Sequence, residues 1–416
     1  MNQVRYGKND NVLILSKIVL LLMIFGLFTI DNQGVLNITS VIAVLLSFYY
    51  IKVSGVEIKD NILDLIQKRK TLLLFTLWCA FCIAFFTYEN KFLHAYSILI
   101  KDWRYPLVMM LFFGAFSKHK ASLRQVFVIG AMLTLSYIVL VVPILRIIKN
   151  NQQELYLQLR YGFAFYVVML FPFVLTGAVL LKNTFLKVAL YIISALAFVF
   201  LLYTGSRGGI LAIVVEIFMI SFLVSKTLKR FMVATCSLLI IMSALLVGTY
   251  NTVDQVKRKV DQTLQMKNVT SSRDELITDR FPLVMKNINN VVFGIGYGNA
   301  TYNQYLDDHN APQNPGVYSD RNKGYNIDEP FFIIVLYNLG VIGLLLFVSA
   351  FYITFKDIYG RARTQKDIFS ISLLCSLVGY ILVYCLFEQM FINVFFLYSI
   401  AIVMLYEKNE PVRVTN

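Results

Sequence analysis

Histidine and tryptophan are scarce, with three and two residues in a chain of 416. Three histidines leave little scope for a histidine-built metal centre. No HExxH, GxSxG, nucleotide-phosphate loop or carboxylate-rich metal motif takes its place. Cysteine is limited to Cys79, Cys82, Cys236, Cys375 and Cys385, all within apolar stretches and none in the long polar segment. That distribution excludes a disulfide framework and reads as small core residues. Charge is low as well: 15% of the chain is charged and 58% is hydrophobic, which excludes a soluble globular domain. What the chain has instead is long apolar runs, the mark of a polytopic membrane protein.

Twelve spans can be read, at about 12–30, 35–51, 71–87, 105–117, 126–148, 161–181, 185–203, 209–225, 231–249, 330–355, 368–387 and 390–406. The fourth is short for a bilayer, and it either begins before Trp103, tilts or re-enters. No small-residue cleavage site follows the first apolar run, so no cleavable signal peptide is expected. The net charge of +14 does not argue for nucleic acid, because the basic residues crowd short loops and span edges. With the N-terminus inside, Arg5, Lys8 and Lys17, then Lys52 to Lys70, Lys118 to Arg124, Lys182 and Lys187, Lys226 to Arg230, Lys356 to Lys366 and finally Lys408 and Arg413 all fall on the same side. The expected fold is therefore all-α, with about twelve transmembrane helices and both termini cytoplasmic. It divides into helices one to nine over 1–249, one large periplasmic loop over 250–329, and helices ten to twelve with a tail over 330–416. The loop is electrically mixed and too long for a simple connection, which marks it as functional.

Arg207 faces the same side as that loop. It sits in Tyr203-Thr204-Gly205-Ser206-Arg207-Gly208-Gly209, a polar break between two apolar stretches. A permanent charge at a membrane boundary is a functional suspect, although an arginine can also snorkel to headgroups. The glycines admit a tight turn and a close ligand, and the planar guanidinium fork suits diphosphates and carboxylates. Further cations share that face: Arg160, Arg273, Arg280, and Lys101 with Arg104 around Trp103. Arg273 and Arg280 are seven residues apart, hence on one face if helical. His309, in Asp307-Asp308-His309-Asn310, is either a base or a solvated loop residue, while His94 and His119 lie on opposite sides and cannot share a site. Asp328 and Glu329 precede Pro330 at the mouth of the tenth span, where acids favour the helix dipole or act as a general base. Glu388 is also outward.

In order along the chain, these features resemble the bacterial O-antigen ligase/polymerase superfamily. The Thr204–Gly209 turn followed by Ile210-Leu211-Ala212 is similar to its arginine–glycine signature. The outer loop opens with Ser271-Ser272-Arg273 and runs into Phe293-Gly294-Ile295-Gly296-Tyr297-Gly298-Asn299. Glu329 then leads through Asn338-Leu339-Gly340-Val341-Ile342-Gly343 into a helix like the family's post-loop helix. The resemblance covers about the second half of the chain. It implies an undecaprenyl-diphosphate-linked glycan donor and transfer to a sugar hydroxyl outside the bacterial inner membrane. It also implies an inverting, metal-independent glycosyltransferase that needs no cofactor. Arg207 and either Arg273 or Arg280 would hold the diphosphate, with Arg160 nearby. Ligases of the family carry a His-Asn pair where this chain has Glu329-Pro330, which looks more like a polymerase. Phe387-Glu388-Gln389 and the glycine-rich stretch look more like a ligase that delivers to lipid A–core. The expected activity is a polymerase, with Glu329 or His309 assisting the hydroxyl and a ligase as the alternative. A lipid-linked glycan transporter is the reading from another class; no internal repeat favours it.

Overall fold

The computed structural model describes residues 2–29, 33–88, 92–149, 163–264, 273–311, 330–388 and 390–406, and among them there are helices and no strands. The helices are α1 (Asn2–Leu27), α2 (Gln33–Ser54), α3 (Lys59–Lys68), α4 (Lys70–Phe86), α5 (Phe92–Ala115), α6 (Lys120–Lys149), α7 (Phe163–Leu180), α8 (Thr184–Thr204), α9 (Arg207–Val224) and α10 (Leu228–Thr252). The loop segment contributes α11 (Asp254–Leu264), α12 (Arg273–Val284), α13 (Ile288–Phe293) and α14 (Asn299–Asp308). α15 (Phe331–Gln365), α16 (Ile368–Ser376) and α17 (Ile392–Met404) follow, and α16 runs on through π-helical turns at Leu377–Val383.

A helix covers each of the twelve apolar stretches. Among the described residues, eight helices are long and apolar enough to cross a bilayer, or nine if α3 and α4, bent by 82°, count as one span. Asn11–Leu27 and Ile392–Met404 are shorter apolar helices. The fourth stretch is short because it is the lower part of α5, which starts at Phe92 and carries Lys101, Asp102 and Arg104 before the apolar run from Tyr105. Pro330 stands just before α15, at its N-cap.

Sequence explains where several helices begin. Asn183, Thr227 and Asp367 cap α8, α10 and α16 by accepting from Leu186 N (3.1 Å), Arg230 N (3.3 Å) and Ser370 N (2.7 Å). Each such cap stabilises its helix by about 1 kcal/mol. α7 is buried almost all round, from Phe163 to Ala178, and is the central pillar. α10 is the opposite case, apolar and outward, with Val233, Ile240, Ile241 and Val247 all exposed. A helix apolar on its exposed face needs lipid around it, and with so many such helices the chain is a multi-pass membrane protein.

The bundle has two unlike ends. At one, Arg69 in the bend between α3 and α4 is buried and reaches Asp357 Oδ2 (2.7 Å) and the Ser399 carbonyl (3.1 Å). Arg69, expected among the loop charges, is thus an internal brace. Arg361 also donates to Asp357 (3.2 Å), Tyr406 donates to Asp367 (2.8 Å), and Arg124 and Arg361 both lie over the Tyr406 ring. At the other end lie the C-terminus of α4, the first part of α5, the α8–α9 turn and the starts of α15 and α17.

Candidate functional site

The turn before Arg207 is built by two residues. Gly205 ends α8 in the left-handed conformation, φ 66°, which a side chain would oppose. Ser206 then caps α9 by accepting from Gly209 N (3.2 Å). Arg207 is the first residue of α9 and is half-buried. Gly208 and Gly209 are helical, so their role is closeness and not turning. A Cβ at Gly208 would stand 3.1 Å from the Phe387 side chain, and one at Gly209 would stand 2.9 Å from Leu201. The result is a helix N-terminus packed closely against Phe387 and Leu201, with a guanidinium at its first position. Backbone amides and the helix dipole attract anions there, and the arginine adds charge of the same sign.

The glycine-rich stretch makes a second structure at this end. α15 is broken at Gly340, φ 67° and ψ −174°, and the break receives the loop backbone. Ile295 N donates to Tyr337 O (3.0 Å) and Gly296 N to Asn338 O (3.1 Å). Gly294 and Gly340 face each other so closely that a Cβ on either would overlap the other segment's backbone. Trp78 of α4 fixes the junction, donating to Leu339 O (3.0 Å) and stacking on Phe293, which also stacks on Phe86 at 4.1 Å. Tyr88 N donates to Ile295 O (3.0 Å), which ties in the end of α4. The glycines of Phe293–Asn299 are therefore a docking interface between loop and bundle.

This docking delivers Tyr297 to Asp102. The phenol donates to Asp102 Oδ2 at 2.6 Å. Burial raises the Asp102 carboxyl to about 6, against the lowering effect of the Tyr297 bond. Burial first, and then the carboxylate, push the Tyr297 phenol well above its ordinary range. Both line a cavity of about 270 Å³ together with Asn338, Phe331 and Phe391. Phe391 follows closely on Phe387, the residue that covers Gly208, so one segment, 387–392, walls the cavity and touches the Arg207 helix.

Of the other residues expected at the site, Arg273 and Arg280 do share one helix, α12. Arg280 has no accessible surface, and its neighbour Phe281 lies near Tyr337 of α15 (6.3 Å between rings). His309 ends α14, exposed, with Nδ1 donating to Tyr305 O (2.8 Å) and its ring stacked on Tyr305 at 4.1 Å. Glu329 and Arg160 lie outside the described residues, as does the side chain of Arg273. His309 is not among the residues that line the cavity. Sequence reasoning passed over Asp102 and Tyr297. Lys101-Asp102-Trp103-Arg104 drew notice for its cations, although an acid between them at the start of an apolar run was the signal. Among the described residues no group of three or more His, Cys, Asp or Glu could hold a metal ion.

Residues 192–348 match the family model for O-antigen ligase. That stretch of the chain, less than half of it, is similar to the O-antigen ligase family. The matched segment begins within α8, takes in the Gly205 turn and Arg207, and ends just past the break at Gly340. Both glycine-built features of this end thus lie inside the match, whereas Asp102 and Phe387 lie outside it. That similarity supports a membrane enzyme working on lipid-linked glycans. No curated protein matches the chain.

Proposed function

We propose that this enzyme is a surface-polysaccharide polymerase that joins undecaprenyl-diphosphate-linked repeat units at the periplasmic face of the bacterial inner membrane. In this reading twelve helices span the bilayer, both termini are cytoplasmic, and the Arg207 end of the bundle faces the periplasm. The observation that carries it is Arg207, half-buried at the first position of a helix that follows the Gly205 turn. A diphosphate docked there meets backbone amides, the helix dipole and a guanidinium at once. Arg273 or Arg280 of α12, with Arg160, supplies further positive charge. As the glycosidic carbon loses its diphosphate, these cations stabilise the negative charge that develops on the leaving group. The acceptor hydroxyl attacks from the opposite face, which inverts the linkage. Glu329 and His309 are the bases that the sequence nominates for its proton.

The ligase reading uses the same donor site and differs in the acceptor, lipid A–core. It is favoured by the description of the matching family model itself, O-antigen ligase; Glu329 in place of a His-Asn pair favours the polymerase. Nothing comparable supports the transporter. Arg207→Glu should abolish product, while Arg207→Lys should keep a small part of it. Normal long chains from Arg207→Glu would sink the donor-site assignment. Deleting the gene separates the two acceptors: single repeat units on the lipopolysaccharide mark a polymerase, and bare core with accumulated lipid-linked polymer marks a ligase.

A further inference from the structure

The donor's diphosphate has a site in the reading above, but the acceptor's sugar has none. The cavity of about 270 Å³ lies between α4, α5, α15 and the chain entering α17. Pockets for drug-sized ligands run roughly 300–1,000 Å³, so this one suits a single ring and is too small for a lipid chain. Phe75, Phe331 and Phe391 give it apolar faces, and Asp102, Tyr297 and Asn338 give it polar ones. A sugar ring has that same division, with a C–H face and a rim of hydroxyls. Two observations point to a ligand. The Asn338 side-chain oxygen is buried and takes no hydrogen bond among the described residues, and Asn338 as a whole is 6% exposed. Asp102 spends one oxygen on Tyr297, and its other oxygen has no partner among the described residues. Buried polar atoms are normally satisfied; a hydroxyl entering the cavity would satisfy the Asn338 oxygen and could reach the carboxylate of Asp102, which also lines it.

We infer that this cavity is the acceptor-sugar subsite and that Asp102 is the base that takes the proton of the attacking hydroxyl. The inference rests on the glycosyl-transfer reading. The hydroxyl oxygen bonds to the donor's anomeric carbon, and the bond from that carbon to the diphosphate oxygen breaks, its electron pair leaving with the diphosphate. The hydroxyl proton passes to Oδ1 of Asp102. Tyr297 is a positioning residue; its hydrogen bond fixes Oδ2 and turns Oδ1 to the cavity. Asp102 is poised for the task, since a carboxyl near 6 is ionised at neutral pH yet basic enough to accept a proton. Two ionisable groups face it from other elements, Tyr297 of the loop and Cys79 of α4. Lys101 and Arg104 of its own helix are exposed. From α15 and α17 the cavity receives Phe331, Ile334, Val335 and Ile392, none of which titrates. The arrangement favours Asp102 over His309, whose Nδ1 is engaged by the Tyr305 carbonyl and whose ring is stacked outside.

The test uses purified full-length protein with lipid-linked glycan extracted from cells that lack it, in membranes that also hold the native acceptors. Glycosidic bond formation is followed from pH 5 to 8. The wild-type kcat/KM should fall about tenfold per pH unit below about 6, as the base is protonated. Asp102→Asn should lose about 10²- to 10⁴-fold in kcat and lose that acid limb, with binding of undecaprenyl diphosphate unchanged. Tyr297→Phe should keep most activity and move the limb to higher pH, because the bond it removes holds the carboxyl down. Glu329→Gln and His309→Asn should keep the limb. If Asp102→Asn retains the wild-type rate and limb, or if Glu329→Gln removes the limb, the assignment of the base is overturned. If wild-type protein makes no glycosidic bond from any lipid diphosphate glycan, the glycosyl-transfer reading falls instead.

Discussion

Gly340→Ala tests whether the loop must dock into the break of α15. At φ 67° and ψ −174° the backbone is in a region essentially reserved for glycine, and holding another residue there costs about 1–3 kcal/mol. The new methyl would also overlap Val292 O and come within 2.6 Å of Phe293 N. Both obstacles are backbone, so no side chain can swing aside. Overpacking of that kind costs about another 1–3 kcal/mol. Against the docked state the sum is about 2–6 kcal/mol, and each 1.4 kcal/mol is roughly tenfold in an equilibrium. The pairs Ile295 N to Tyr337 O and Gly296 N to Asn338 O should open, and Tyr297 should leave Asp102. Product formation in membranes should drop at least about tenfold, with faster proteolytic cutting between 285 and 311 and normal amounts of protein. Gly360→Ala, where a Cβ would meet nothing within 4 Å, is the control and should behave as wild type. Wild-type activity and unchanged proteolysis in Gly340→Ala would refute the docking argument.

Other perturbations separate the parts of the molecule. Gly208→Leu should collide with Phe387 and cost most of the activity in the product assay, while an unaltered product ladder would mean that α9 need not approach the 387–392 segment. Asp357→Asn leaves Arg69 buried without its charged partner and should destabilise by about 3–5 kcal/mol, read as a lower melting temperature in detergent. Asp102→Asn should do the reverse at pH 7. The folded-state value near 6 lies above the ordinary 3.8, so ionised Asp102 takes stability away as pH rises through that window. The variant should therefore melt higher than wild type at pH 7 and show little advantage below pH 4. A lipid-soluble maleimide should label one thiol in the native protein, Cys236 on the outward face of α10, because the other four cysteines are buried; mass spectrometry counts the adducts.

The helices were legible because lipid enforces one rule, apolar runs of sufficient length. The same rule blurred α5, whose charged first part broke the apolar window although the helix continued through it. Arg207 was legible for the converse reason, as a charge in an apolar chain. The purpose of its glycines was only partly so. Gly205 turns the backbone, as a turn glycine should, but Gly208 and Gly209 are small because Phe387 and Leu201 lie against them, and those neighbours are remote or unpredictable in sequence. Asp102 and Tyr297 are 195 positions apart. No local pattern joins them, since their meeting depends on Gly294 entering the break at Gly340. Arg69 shows the opposite error, a loop charge by pattern that proves to be an internal brace.

The two ends of the bundle differ in how fully their polar groups are met, and the difference argues for where the chemistry lies. At the Arg69 end, Asp357 takes two arginines, Asp367 takes Tyr406 and the Ser370 amide, and Thr354 pairs with Ser399. That end is arranged for holding, although the Thr71 hydroxyl is buried there without a partner among the described residues. At the Arg207 end, the Asn338 oxygen, the Asn393 oxygen and the Trp103 indole N–H are buried without hydrogen-bond partners among the described residues, and Asp102 accepts from Tyr297 through one oxygen. Stability alone would have selected against such a cluster, because each unmet group costs about 1–3 kcal/mol. Sequences keep locally inconsistent choices where a function repays them. If substrate is what repays them here, acceptor glycan should raise the melting temperature of wild-type protein. Asn338→Leu, which removes the unmet oxygen while filling similar space, should raise it without glycan and abolish the further rise on adding it. A rise with glycan that survives Asn338→Leu unchanged would place the acceptor elsewhere.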